Sequence, residues 1–230
     1  MNRLLRPMGL GLWGLVLLHS ALSGRLDLLV RAAFHPLIAG SGAALLALAA
    51  LDGVRSLRQR GTPQLKAPVG RERAALLLGA AIAVAMLLAP PVPSFADLAS
   101  NRPSGQLEDQ ELSFVLPPAQ RSLTDWVRLQ RSQPDPALYA GDPVRISGFV
   151  LPLQGQPPEL ARLLVRCCLA DATPVGLPVR WPAGQPLPKA DTWLAIEGVM
   201  AVDSGSQPPR SMVVPQRITP IPRPQRPFEP

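Results

Sequence analysis

Cys167 and Cys168 are adjacent, and they are the only cysteines in this 230-residue chain. They open the run Cys167-Cys168-Leu169-Ala170-Asp171-Ala172-Thr173-Pro174, which places a carboxylate three residues after the second thiol. Three chemistries are open to such a trio. Inside a regular strand, neighbouring side chains point to opposite faces, so one sulfur would pack as a small hydrophobe and the other would face out. Where a strand ends and turns, both sulfurs and the Asp171 carboxylate can converge on a thiophilic ion such as zinc or copper(I). In an oxidising compartment the pair can close a small, strained disulfide that is readily reduced. Leu169 to Pro174 reads as a turn. The spacing is not Cys-x-x-Cys, so a thioredoxin-like mechanism is not indicated.

Three ligands are fewer than a closed structural zinc site needs. The site would be open or completed by a partner, and His35 or His19 is the candidate fourth ligand within the chain. These are the only two histidines, so no histidine accompanies the cysteines in the C-terminal half. That removes histidine-based triads and the common zinc-hydrolase ligand sets there. The carboxylates show no paired spacing for general acid–base work, and an enzyme is not expected.

Charge narrows the partners. The net charge of +7 resides entirely in residues 1–94, with ten Lys/Arg against three Asp/Glu; residues 95–230 hold thirteen of each. The C-terminal half therefore has no basic stripe to track a phosphate backbone, and nucleic-acid binding is not expected. The basic half is also the apolar half. Residues 8–23, 34–51 and 74–89 are apolar runs near the short end of what spans a bilayer. They have no polar face, unlike the surface helix of a soluble domain. Arg3 and Arg6 followed by an apolar core and Ala21-Leu22-Ser23 also have the layout of a secretory leader.

Three spans predict a membrane domain over 1–91, in contact with membrane lipids. The loop carrying Arg55, Arg58, Arg60, Lys66, Arg71 and Arg73 is expected inside the cell by the bias of basic residues toward the cytoplasm. The N-terminus is then cytoplasmic and everything after Pro90 extracytoplasmic. His19 and His35 fall toward the outer leaflet, where an ionisable group is a functional candidate. Small residues Gly40, Ser41, Gly42, Ala43 and Ala47 suit close helix packing.

Residues 92–136 read as a linker holding one short helix over 122–131. Ser122 is its N-cap and Asp125 the capping-box acid, Trp126 faces packing, and Pro134 ends it. From 137 to 221 the pattern is that of strands: Val144–Val150, Arg162–Cys168, Val175–Trp181, Thr192–Met200 and Ser211–Ile218. Five short strands fit a small OB-like barrel. Pro178 and Pro215 suggest edges or bulges. Residues 222–230 read as an extended tail. The predicted fold is thus an α+β membrane protein: three N-terminal transmembrane helices and a small all-β, OB-like barrel.

These motifs resemble the bacterial YcgQ-like (DUF1980) family. The resemblance rests on Gly148-Phe149-Val150, on Arg162 through Cys167-Cys168-Leu169-Ala170-Asp171, on Pro174-Val175-Gly176-Leu177-Pro178-Val179, and on Trp193 and Gly198. His35-Pro36 also matches the head of the second span. Leu163 departs from a position that is often aromatic. Members are described as subunits of a two-component permease. The resemblance implies a separate polytopic, permease-like membrane partner. It marks Gly148, Phe149, Arg162, Cys167, Cys168, Asp171 and Gly176 as signature residues without assigning them a role.

Overall fold

The computed structural model describes residues 5–58, 70–90, 92–102 and 116–229. Arg3, Arg60, Lys66 and the middle of the expected linker, 103–115, lie outside the described residues. The chain divides into two compact units, Met1–Val92 and Pro93–Pro230.

The first unit is helical: α1 (Leu5–Leu22), α2 (His35–Arg58) and α3 (Gly70–Leu88). Helix α1 packs against both others. It approaches α2 where both lack a side chain: a Cβ on Gly14 would lie 2.9 Å from the Gly42 carbonyl oxygen. Gly42 is the only buried residue of α2, so one of the small residues expected to pack closely does so. The remaining helix surfaces are apolar, with Leu37, Leu48, Leu51, Leu77, Leu78 and Ile82 exposed.

Two helices, α1 and α2, are long and apolar enough to cross a membrane; the sequence led us to expect three. The apolar part of α3 begins only at Arg73 and ends at Leu88. At 1.5 Å per residue it extends about 24 Å, short of the roughly 30 Å of a hydrocarbon core. Its apolar run is no longer than composition suggested, whereas α1 and α2 extend to 18 and 24 residues.

The second unit is a five-stranded antiparallel sheet with a short sixth strand. The strands are β1 (Pro143–Leu153), β2 (Gln156–Leu164), β3 (Thr173–Pro178), β4 (Trp193–Asp203), β5 (Arg210–Pro220) and β6 (Phe228–Glu229). The order is β3-β2-β1-β4-β5. The edges meet at one point, where Val179 bridges Val213 in parallel sense and the Arg180 N–H donates to the Val213 carbonyl at 2.9 Å. Strand β1 pairs with β2 only from Phe149 onward, and β6 takes the vacated edge of β2 at Leu163 and Leu164. The tail read as merely extended thus contributes a strand.

The second strand begins and ends earlier than expected, at Gln156 and Leu164 rather than at Arg162 and Cys168. Pro157 and Pro158 fall where the β1–β2 register shifts, and proline is tolerated at a bulge. Pro215 sits at a register shift opposite Gly198, where an added Cβ would overlap the Val214 carbonyl. That is the expected bulge.

Side-chain alternation gives the sheet two apolar faces. Val144, Ile146, Val150, Leu160, Val175, Leu177, Ile196 and Val213 form one cluster with Leu123, Trp126 and Leu129 of α5 (Leu123–Ser132). The expected capping box forms: Ser122 Oγ accepts from the Asp125 N–H and the Asp125 carboxylate from the Ser122 N–H. Phe149, Leu151, Ala161, Leu163 and Trp193 form the opposite cluster, covered by Phe95 and Ala99 of α4 (Phe95–Ser100) and by Phe228. Helix α4 lies in the stretch read as linker. Its N-terminal Ala96 N–H is held by the Asp191 carboxylate at 2.7 Å.

Trp126 is fully buried, edge-on to Tyr139 at 6.0 Å, with the Arg121 guanidinium 4.5 Å from its ring centre. Trp126→Ala is expected to cost about 3–5 kcal/mol of unfolding free energy. Guanidinium unfolding of the full-length protein in detergent, followed by far-UV circular dichroism, measures it; Trp181→Ala, at a partly buried ring, should cost clearly less.

Candidate functional site: a two-cysteine, one-carboxylate cluster

Strand β2 ends at Leu164, and the chain bends at Arg166 and Cys167 before one 3-10 turn, Leu169–Asp171, leads into β3. The cysteine pair therefore occupies the β2–β3 connection and escapes the opposite-face rule of a strand. Asp171 holds the bend. Its Oδ1 accepts from the Arg166 N–H at 3.1 Å and its Oδ2 from the Cys167 N–H at 2.8 Å. The Asp171 N–H in turn donates to the Cys168 carbonyl at 3.0 Å. Leu169 and buried Ala172 anchor the loop in the outer apolar cluster, and Arg102 Nη1 donates to the Ala172 carbonyl at 2.5 Å.

The bend brings three donor atoms together. The sulfurs of Cys167 and Cys168 and a carboxylate oxygen of Asp171 all lie within 4.8 Å of one another. The sulfurs are 3.6 Å apart and both thiols are free. A disulfide needs about 2.05 Å. Two thiolates on one tetrahedral zinc, each at about 2.3 Å, stand about 3.8 Å apart. The observed separation thus matches shared ligation to within a few tenths of an ångström. Cys167 is exposed and Cys168 half-buried, so an ion has an entry path.

The Cys167 thiol is held in its protonated form. The thiol donates to the Asp171 carboxylate and then to the Cys168 sulfur; with some burial and the nearby negative charge, its pKa rises from 9.0 to about 11. Asp171 moves the other way. Burial is the largest single influence and pushes it up, but hydrogen bonds from the Cys167 thiol and from the backbone N–H groups of Cys167, Arg166 and Cys168 together hold it below the usual carboxylate range. A protonated thiol is a poor nucleophile, which weighs against disulfide exchange. An ion entering the cluster would replace the thiol proton as the partner of Asp171.

His35 belongs to the helical unit, where its Nε2 lies 3.0 Å from the Val30 carbonyl oxygen. His19 is exposed on α1.

The other signature residues hold the scaffold. Arg162 is buried: Nε and Nη2 donate to the Ser147 carbonyl and hydroxyl at 2.7 and 2.6 Å, and Nη1 to the Pro227 carbonyl at 3.0 Å. Its guanidinium also stacks 4.9 Å from the Trp193 ring centre. Phe149 meets Phe95 and Trp193 at 5.8 and 5.9 Å. A Cβ on Gly148 would lie 2.5 Å from the Ala161 carbonyl oxygen, and one on Gly176 would lie 2.5 Å from Glu159 Oε2. The backbone neighbour fixes Gly148 by close approach, whereas the glutamate tip beside Gly176 can swing aside. Sequence reasoning missed Arg102, which reaches its carbonyl across 70 positions from a stretch that reads as linker.

Residues 126–228 match the DUF1980 C-terminal domain, a span that contains the whole sheet and the cysteine cluster. Residues 126–228 therefore form a DUF1980 C-terminal domain, in keeping with the YcgQ-like resemblance of the motifs. No curated protein and no solved structure matches the chain. Within the DUF1980 domain, the side chains of Cys167, Cys168 and Asp171 converge outside the two apolar clusters.

Asp171→Asn should return the Cys167 thiol toward its ordinary pKa. Near pH 8 the larger thiolate fraction, offset by lower intrinsic nucleophilicity, leaves alkylation about tenfold faster. In the parent protein the Cys167 rate should instead keep climbing toward pH 11. Iodoacetamide labelling with peptide mass analysis over a pH series checks both.

Proposed function

We propose that this protein is a membrane-anchored, non-enzymatic module that holds a thiophilic ion, zinc or copper(I), at Cys167, Cys168 and Asp171, and that it serves as the accessory subunit of a polytopic permease-like partner. The observation that carries the ion-binding part is the convergence of two sulfurs and a carboxylate within 4.8 Å on an accessible loop. With three protein ligands a fourth position stays open. An open position suits an ion that is handed on rather than locked in place. The partner comes from the family resemblance, and the exposed small-residue and apolar surfaces of α1–α3 are compatible with it.

We read the sheet as a small OB-like barrel. The strand order and the parallel bridge between Val179 and Val213 support this. The membrane anchor rests on α1 and α2. The excess of arginine after α2 favours a cytoplasmic loop there, and the domain then faces outward. That placement requires the shorter α3 to carry the chain across. The redox alternative draws on the same two thiols, and the raised Cys167 pKa opposes it.

Titrating the full-length protein in detergent with Zn²⁺ or Cu⁺, under reducing conditions, should give one ion per chain. The Cys167→Ser/Cys168→Ser double variant should lose this binding, and Asp171→Asn should weaken it by at least about tenfold. Unchanged affinity in the double variant overturns the ion-binding reading. Co-purification from mild detergent tests the partner: recovery without a polytopic protein, when the candidate is co-expressed, removes the subunit role.

Orientation has its own measurement. In intact cells a membrane-impermeant maleimide should label Cys167. Labelling only after lysis places the DUF1980 domain inside and removes the outward topology.

A further inference from the structure

Arg102 follows α4, which begins three residues after the helical unit ends at Val92. The start of α4 is fastened to the outer face of the sheet. Phe95 is fully buried among Phe149, Trp193 and Phe228, with ring centres 5.7–6.2 Å away. The Ala96 N–H donates to Asp191 Oδ1 at 2.7 Å, and Arg223 Nη1 donates to the Pro93 carbonyl at 3.2 Å. The far end of α4 is packed less completely. A cavity of about 280 Å³ is lined by Ala99, Ser100 and Arg102 on one side and by Leu151, Pro174 and Gly176 on the other. From this end Arg102 Nη1 donates to the Ala172 carbonyl at 2.5 Å.

Ala172 closes the 3-10 turn of the cysteine loop, with its N–H on the Leu169 carbonyl at 3.3 Å. It is the residue directly after Asp171. Asp171 is thus fixed on both sides: its own N–H lies on the Cys168 carbonyl at 3.0 Å, and the next carbonyl is held by Arg102. A bond from a charged donor is stronger than a neutral one. It also brings a positive charge to the loop. A divalent ion on two thiolates and one carboxylate leaves one negative charge in excess, which a neighbouring guanidinium offsets. Outer groups that fix metal ligands in this way change affinity by about 10–100-fold.

We propose, resting on the ion-binding reading, that Arg102 is a positioning residue for Cys167, Cys168 and Asp171, and that through it α4 responds to ion occupancy. The coupling is reciprocal: a seated α4 strengthens ion binding, and a bound ion steadies α4. The segment that leaves the helical unit thereby senses whether the site is loaded.

Zinc titration and amide hydrogen exchange on the full-length protein in detergent, under reducing conditions, test it. In the parent, saturating Zn²⁺ should slow exchange over residues 95–102. Arg102→Met keeps much of the side-chain length and removes the donors and the charge. It should weaken zinc about tenfold, speed exchange of the Arg166 and Cys167 amides without zinc, and abolish the response of α4. Arg102→Lys can still donate to the carbonyl and should stay within about threefold of the parent. Arg145→Met, at an exposed side chain paired with Glu197 at 3.4 Å, should match the parent throughout. Parent-like zinc affinity in Arg102→Met, or exchange over 95–102 that zinc leaves unchanged in the parent, overturns the proposal. A parent that takes up no zinc instead removes the ion-binding reading. The exchange of Arg166 and Cys167 then decides alone, and parent-like rates in Arg102→Met remove the positioning role.

Discussion

The grip of the Asp171 carboxylate on the backbone N–H groups of Arg166 and Cys167 is the contact on which the candidate site depends. Two adjacent cysteines have no natural reason to face the same way. In an extended chain their side chains diverge. A short-range acceptor that folds the chain back over itself, followed by one turn of 3-10 helix, turns divergence into convergence. The same carboxylate is one of the three donors. Asp171 is therefore both the device that shapes the loop and a member of the ligand set, and its substitution affects geometry and chemistry together.

The loop has to be held by something rigid, and the sheet provides this through its two apolar faces. One face closes over Trp126 and the interior residues of β1 to β5. The other is covered by α4 and the C-terminal β6, and Leu169 and Ala172 of the loop are anchored in that outer cluster. Arg162 ties the same region together by reaching Ser147 and Pro227 at once. Segments nearly a hundred residues apart in the chain therefore share responsibility for where the sulfurs point. A family signature that mixes Cys167, Cys168 and Asp171 with Arg162, Gly148 and Gly176 is intelligible on these terms. The first three make the site, Arg162 braces the surrounding backbone, and the glycines admit close neighbours.

The helical unit follows different physics. Its α1–α2 contact is made by backbone approach at Gly14 and Gly42, and its exposed surface is apolar. An apolar exterior with small residues at the contact is the packing style of helices in lipid, where dispersion rather than water exclusion holds them together. Helix α3 is the exception, with an apolar run confined to Arg73–Leu88.

Much of this was legible in the amino-acid order because it depends on local rules. Alternation in Val144-Arg145-Ile146 marked β1, the Ser122–Asp125 spacing marked a capped helix, and Pro215 marked a bulge; each is a short-range steric or hydrogen-bonding preference. The turn after the cysteines was legible too, in Asp171 and Pro174. Long-range pairing decided the rest. The early start of β2 through Pro157 and Pro158 depends on a partner strand that tolerates them. The strand formed by Phe228 and Glu229 exists only because β1 leaves the edge of β2 open, and the bond from Arg102 to Ala172 spans 70 residues. Composition and spacing thus determined which groups were available for chemistry. Only the folded chain decided which of them meet, because that is settled by edges, cavities and carbonyls that no local pattern encodes.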